Sequence, residues 1–192
     1  QHYEWTINLP SIPLISVITV VYNNVLQIQD CIKSVCSQDY PSIEYIIIDG
    51  GSTDGTLDTI LEFGDEISEI ISEPDIGLYD AYNKGISRAN GEIIGFLNSD
   101  DLFANNGVLS SIAFYFENKN IDITYGDLVY IRNDDSSSVV RHWVAGKFSS
   151  SVLRCGWMPP HPTFYARREL YKNFGEFDLS YKISADYDCM LR

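Results

Sequence analysis

Apolar positions fall into blocks of two periods along this chain. Leu14 to Val21 (LISVITVV) is a β-branched run, which predicts a strand buried on both faces, as in a parallel sheet. It stops at Tyr22-Asn23-Asn24. Val25, Ile28, Ile32 and Val35 then recur at spacings of three and four, predicting an amphipathic helix that Pro41 closes off. Ile43 to Ile48 predicts a second buried strand, ending in Asp49-Gly50-Gly51-Ser52-Thr53-Asp54-Gly55. A short helix over Thr56 to Phe63 and a short strand over Glu69 to Ser72 follow. Leu78, Ala81, Tyr82, Gly85, Ile86 and Ala89 share one face of a further helix, with Gly91 expected at its C-cap. Ile93 to Leu97 predicts a fourth buried strand, which runs into Asn98-Ser99-Asp100-Asp101. Val108, Leu109, Ile112, Ala113 and Phe116 mark another helix, and Ile121 to Ile131 a long strand.

Strands alternating with helices make this an α/β chain with a doubly wound, mostly parallel sheet. Right-handed crossovers put the strand ends at 22–24, 49–55 and 98–101 on one edge, where ligands bind in such sheets. The rhythm changes after a polar turn, Asp134 to Ser138. Val139 to Val144 and His161 to Ala166 read as short strands, Arg168 to Asn173 as a short helix, and Ser184 as the cap of a last helix. The expected division is an extension over 1–13, closed by Pro10 and Pro13, and one domain over 14–192. Its first part, 14–131, carries the ligand edge, and 132–192 forms a small lobe packed on it.

Composition narrows the function. A chain of 192 residues with 45% hydrophobic residues folds without staples. A net charge of −14 argues against nucleic acid, whose phosphates need clustered Lys and Arg. Cys31, Cys36, Cys155 and Cys189 form no C-x-x-C pair and read as free thiols of a reducing cytoplasm. No apolar run approaches a membrane span, and Gln1 to Ser11 carries no signal-peptide pattern. The end at Arg192, inside a helical pattern, suggests a longer natural chain.

Several residues have two readings. Acids closing the strand at 93–97 suit a hard cation at the sheet edge, but Asp or Asn there also caps a helix. The Asp49 loop can meet a nucleotide or merely turn the chain. It is neither a dinucleotide fingerprint nor a P-loop, since no G-x-G-x-x-G or G-K-[ST] occurs. Asp186 is either a catalytic carboxylate or an acid in a helix's first turn. His161, between Pro160 and Pro162, is a ligand-site or a structural histidine, and Trp157 an acceptor-side or a core aromatic.

Taken in order, these pieces resemble the inverting glycosyltransferases of family 2, with their GT-A nucleotide-diphospho-sugar transferase fold. The resemblance runs through Ile18-Thr-Val-Val-Tyr-Asn23 and Asp49-Gly-Gly-Ser-Thr-Asp54-Gly-Thr56. It continues through Gly77-Leu-Tyr-Asp-Ala81-Tyr-Asn83-Lys-Gly85, Ala89-Asn-Gly91-Glu92 and Phe96-Leu-Asn-Ser-Asp100-Asp101. It ends with Gly175-Glu-Phe-Asp178 and Ser184-Ala-Asp186-Tyr-Asp188. It implies transfer of a sugar from a nucleotide-diphosphate sugar, UDP-linked by preference, to a saccharide or lipid-linked saccharide hydroxyl. The setting implied is bacterial polysaccharide or lipopolysaccharide assembly, in the cytoplasm or at the inner face of the membrane, with peripheral contact to it. It implies a nucleotide-sugar pocket of Thr19, Tyr22, Asn23, Asp49, Ser52, Asp54, Asn83, Lys84, Asn98, Ser99 and Asp100. Asp100 would ligate Mn²⁺ or Mg²⁺, and Asp186 would be the base. Apart from the resemblance, His161 is a candidate for the metal or the acceptor side and Trp157 for the acceptor side, beside their structural readings. Two positions depart from the family pattern: Asn98 stands where it has Asp, and Tyr82 where many relatives have Arg. A sugar nucleotidyltransferase and a non-catalytic sugar-nucleotide-binding module are the alternatives.

Overall fold

Every side chain of the first strand, β1 (Ile15–Val21), is buried, as its unbroken β-branched run requires. A computed structural model describes residues 12–132 and 135–192; the extension expected over 1–13 lies almost wholly outside them. After β1 come α1 (Ile28–Cys36), β2 (Ile43–Asp49), α2 (Thr56–Leu61), β3 (Glu69–Ser72), α3 (Leu78–Arg88), β4 (Ile93–Phe96) and α4 (Val108–Phe116). Then follow β5 (Ile123–Thr124), β6 (Leu128–Arg132), β7 (Asp135–Trp143), α5 (Ser150–Leu153), β8 (Tyr165–Arg167), α6 (Arg168–Phe174) and α7 (Ala185–Leu191).

The main sheet has the order β3-β2-β1-β4-β8-β5. Its first four strands are parallel, with Val21 opposite Asp49 and Ile18 opposite Phe96. The chain therefore leaves β1, β2 and β4 at the same edge. Side chains alternate across the sheet and build two cores. Val17, Val21, Ile28, Ile32, Tyr45 and Phe116 pack on one face. Ile18, Ile46, Tyr82, Phe96 and Phe177 pack on the other. The second part of the chain shares this sheet, because β8 inserts antiparallel between β4 and β5.

Five local expectations give way to tertiary geometry. The long strand expected over 121–131 is two strands in different sheets: β5 joins the main sheet, whereas β6 pairs with β7 in a separate hairpin. The break falls at Gly126, whose N–H bonds Thr163 Oγ1 at 3.1 Å instead of a strand partner. The polar run expected as a turn over 134–138 enters β7, which begins at Asp135; the hairpin connection, 133–134, lies outside the described residues. The strand expected over 161–166 starts as a 3-10 turn, His161–Thr163, and becomes β8 only at Tyr165, since Pro162 has no N–H for a ladder. Gly91 is not a left-handed C-cap; α3 ends at Ala89 in extended backbone. Gly91 is needed for close approach, because a Cβ there would sit 2.5 Å from Ser16 Oγ. Ser184 precedes α7 at φ 69° and makes no side-chain cap bond.

Candidate active site

The three loops at the carboxyl edge are stitched together by their own polar side chains. Asn23, at φ 50°, takes its N–H to Ser52 Oγ at 2.8 Å, and its Oδ1 accepts from Thr53 N at 2.8 Å. Asn24 N donates to Thr56 Oγ1 at 2.8 Å, and Val25 N to Asp54 Oδ2 at 3.1 Å. Asp54 also accepts from the Thr56 N–H and hydroxyl, and this bonding holds its carboxyl below the usual carboxylate range. Asn24 Nδ2 reaches Ser99 Oγ at 2.9 Å, which ties the β1 loop to the β4 loop. Asp49 is wholly buried; its oxygens accept from Ser52 N at 3.2 Å and Ser72 Oγ at 2.6 Å. Its carboxylate thus shapes the loop and offers no face to solvent. Gly50 lies under Asp75 and Tyr22: a Cβ there would meet Asp75 Oδ2 at 2.5 Å and the Tyr22 ring at 3.4 Å. Tyr22 is 65% exposed and presents an open aromatic surface at this edge.

Beyond β4, the chain turns tightly, with Asp101 N on Asn98 O at 3.0 Å. Asn98 is used on both sides of its amide. Its Oδ1 accepts from Tyr82 OH at 2.5 Å, and its Nδ2 donates to Asp101 Oδ2 at 3.0 Å. Tyr82 lies in the core, 2% exposed. Burial first, and then the charges of Asp101 and Asp186, raise its phenol well above the ordinary value, so the hydroxyl stays protonated and donates. The two departures from the family pattern therefore form one neutral contact between α3 and the turn. Cys31 supports the same turn through Sγ to Asn98 O at 3.3 Å; burial pushes its thiol up to about 12. Asp100 projects to solvent. Asp101 is partly buried, and burial together with the Asp100 charge raises its carboxyl. Among the described residues neither acid has a Lys or Arg partner, so the pair carries uncompensated charge.

From far along the chain, α7 joins this group. Tyr79 OH on α3 donates to Asp186 Oδ1 at 3.2 Å. The Tyr79 ring stacks on Phe177 with centroids 5.7 Å apart. Asn83 clamps the Phe177 backbone from both sides, at 2.8 and 2.9 Å. His161 sits among Tyr82, Phe96 and Phe177, with ring centroids 5.3, 5.4 and 5.8 Å away. Burial pushes its imidazole down to about 4, against the opposing pull of the Asp186 charge, so it is neutral at pH 7.

The residues expected in the nucleotide pocket separate accordingly. Tyr22, Asn23 and Asp100 are exposed at the edge. Thr19 is not there: it points into the core, 0% exposed, where its hydroxyl accepts from Tyr45 OH at 3.1 Å. Strand alternation puts it with Val17 and Val21 on the inner face of β1. Ser52, Asp54, Ser99 and Asn83 serve as loop stitches and clamp. Lys84 is held by Glu73 at 3.0 Å, Asp80 at 3.6 Å and the Pro74 carbonyl at 2.9 Å. Trp157 packs on Tyr125, 6.0 Å between centroids, and joins the lobe to the sheet. Among the described residues no three His, Cys, Asp or Glu side chains are grouped to hold a metal ion, so His161 completes no such set with the acids. Sequence reasoning missed Asp75 and Tyr79. The Pro74-Asp75 turn beside the Gly50 loop was a signal for Asp75; Tyr79 carries none, since its partner lies 107 positions away.

Comparison with known proteins agrees with this geometry. The model of Glycosyl transferase family 2 matches residues 16–183. A PGL/p-HBAD biosynthesis glycosyltransferase of Mycobacterium bovis is 31% identical over 184 residues, covering 94% of this chain and 69% of that protein. An uncharacterised glycosyltransferase of Mycobacterium tuberculosis is 32% identical over 194 residues, covering 96% of this chain and 70% of its own length. S. aureus TarS in complex with UDP superposes with a TM-score of 0.72 at 22% identity, over 92% of this chain and 53% of that one. The Pyrobaculum calidifontis mannosyltransferase in complex with GDP-Man and Mn²⁺ gives 0.67 at 21%, over 88% and 48%. This chain thus spans about half the length of those solved chains. The GT-A fold, the motif order and the family match agree: the chain belongs to glycosyl transferase family 2 and is a glycosyltransferase.

Proposed function

We propose that this chain transfers a sugar, with inversion, from a nucleotide-diphosphate sugar to an acceptor hydroxyl, with Asp186 as base and Asp100 at the donor diphosphate. The observation that carries this reading is the use of helix α3. One tyrosine of α3 holds the Asp186 carboxylate, and another, three residues on, holds the Asn98 amide beside Asp100. One rigid element thus contacts Asp186 and the turn that carries Asp100, which supports reading them as parts of one site.

Asp186 takes the proton of the acceptor hydroxyl as that oxygen bonds to the anomeric carbon. The bond from that carbon to the diphosphate breaks on the opposite face, and its electrons leave with the nucleoside diphosphate. Tyr22 supplies an open ring for the base to stack on, and Asp75 lies beside it over Gly50. Asp100, with Asp101 behind it, fits a Mn²⁺ or Mg²⁺ site. Two uncompensated carboxylates suit a hard cation, and such ions are commonly held by one or two carboxylates plus substrate phosphates. The cation, when bound, supplies positive charge to the diphosphate as the bond to the sugar breaks.

UDP-linked donors are favoured, and UDP is the nucleotide bound by TarS. The acceptor class is a saccharide or lipid-linked saccharide of cell-surface polysaccharide or glycolipid assembly; the mycobacterial relative named above belongs to PGL/p-HBAD biosynthesis. Calorimetry of UDP with Mn²⁺ tests the assignment. Asp100→Asn loses Mn²⁺-dependent UDP binding, whereas Asp186→Asn keeps it and loses transfer. Full affinity in Asp100→Asn removes the metal role. Absence of Mn²⁺-dependent UDP release across a donor panel leaves a sugar-nucleotide-binding module instead.

A further inference from the structure

Residue 50 is a glycine for want of space. Its φ is not left-handed, so its backbone is one that other residues adopt. What excludes a side chain is Asp75, because a Cβ on residue 50 would lie 2.5 Å from Asp75 Oδ2. The Tyr22 ring bounds the same space, 3.4 Å from that point. A carboxylate from the β3–α3 loop therefore fills the volume that a side chain at the end of β2 would otherwise take. It does so beside an exposed aromatic ring.

This carboxylate is held in place. Glu73 N bonds Asp49 O at 3.0 Å, continuing the β2–β3 ladder into the loop. Pro74 lies over Gly51, its N 3.5 Å from where a Cβ on residue 51 would stand. Lys84 grips the Pro74 carbonyl at 2.9 Å and Glu73 at 3.0 Å. On the other side, Gly77 N donates to Asp75 Oδ1 at 2.9 Å. Oδ2 accepts no hydrogen bond, and Asp75 has no Lys or Arg partner, among the described residues. Asp49 and Asp54, in the neighbouring loop, differ in this respect, since their oxygens are taken up by backbone N–H groups and hydroxyls. Asp75 is thus fixed on one oxygen and open on the other.

We infer that Asp75 selects the nucleobase of the donor, by accepting the imide N3–H of a uracil stacked on Tyr22. This rests on the donor reading proposed above and deepens it, by naming the residue that makes the choice. A carboxylate only accepts, so the base it meets must offer an N–H. Uracil offers a single one, at N3, to the single open oxygen. Cytosine turns a lone pair at N3 toward the same negative oxygen and is disfavoured. Guanine offers N1–H and N2–H side by side, which suit a carboxylate open on both oxygens, whereas Gly77 N already holds Oδ1 here. Stacking on Tyr22 does not discriminate, because every base has a π-face. The choice therefore falls to Asp75, and a side chain on residue 50 would displace the group that makes it.

Calorimetry in Mn²⁺ tests it, with UDP, CDP, GDP and UDP methylated at N3, which keeps the stacking surface and lacks the N–H. The parent chain binds UDP about 10- to 100-fold tighter than the other three, the range of a hydrogen bond to a charged group. That comparison needs no variant to fold. Asp75→Ala brings UDP down to the level of its methylated analogue. Asp75→Asn keeps an oxygen for Gly77 N and turns a donor toward the base, so CDP gains on UDP. Gly50→Asp/Asp75→Ala returns a carboxylate to the same space from β2 and recovers part of the preference for UDP, which a merely structural Asp75 would not do. Three results overturn the inference while the donor reading stands. They are equal binding of UDP and its methylated analogue by the parent, GDP bound as tightly as UDP, and a UDP-to-CDP ratio unmoved in both Asp75 variants. A parent chain that binds none of the four nucleotides overturns the donor reading, and the inference with it.

Discussion

Asn98→Asp, which restores the family's usual residue, should destabilise this protein when no metal is present. The amide it replaces donates to Asp101 Oδ2 at 3.0 Å. Losing that bond costs about 1 kcal/mol. The new carboxylate then faces the old one. Two unit charges ~4 Å apart repel by about 1 kcal/mol in water and about 4 kcal/mol at an effective dielectric near 20. Both side chains are partly exposed, so roughly 1–2 kcal/mol is appropriate. The sum is about 2–3 kcal/mol, which for a chain of this size lowers Tm by roughly 5–10 °C. The assay is thermal unfolding in chelator and in excess Mn²⁺. Mn²⁺ raises Tm more in the variant than in the parent, since the added charge is then compensated. The swap Asn98→Asp/Asp101→Asn re-forms the amide–carboxylate pair with its ends exchanged and recovers most of the loss. Asp101→Asn alone gives the pH signature. The Asp101 carboxyl is raised by burial and by Asp100, so the folded state holds its proton more tightly than the unfolded chain does. Its favourable contribution is present below the unfolded value and lost as pH rises through the raised one. In chelator, Asp101→Asn is therefore more stable than the parent at neutral pH, and the gain disappears in acid. An Asn98→Asp protein that melts with the parent in chelator, or a swap that recovers nothing, would refute the pairing.

Two further substitutions probe how α3 is used. Tyr79→Phe keeps the ring stacked on Phe177 but removes the hydroxyl that holds Asp186; kcat should fall about five-fold at unchanged donor KM, the equivalent of about 1 kcal/mol for a part-exposed bond to a carboxylate. A combined rise in donor KM would instead place Tyr79 in the donor pocket. Gly85→Ala should destabilise the protein by about 1–2 kcal/mol net, read as a lower urea midpoint, because its Cβ would lie 2.4 Å from Ile18 Cγ2 in a closed core and this overpacking exceeds the helix-propensity gain. A more stable Gly85→Ala protein would show that β1 and α3 can move apart.

Much of this protein was legible in its residue pattern. The apolar runs at 15–21, 45–48 and 93–96 are buried on both faces because helices cover both sides of a parallel sheet, and that demand is written locally. Right-handed crossovers then carry Tyr22, Asp49 and Asp100 to one edge without further information. What the pattern did not contain is which polar groups are spent on the fold. Thr19, Asp49, Ser52 and Asn83 look like binding groups in sequence, but each satisfies a partner 3 to 94 positions away. Hydrogen-bond satisfaction is a tertiary property, so only the packed chain separates Asp100, left open, from Asp49, sealed. The break between β5 and β6 has the same origin, since a strand's partner decides where it stops. The junction of α3 with α7 is likewise tertiary. Side-chain period places Tyr79 and Tyr82 on a helix, but the cluster around Phe177 brings Asp186 to one and Asn98 to the other.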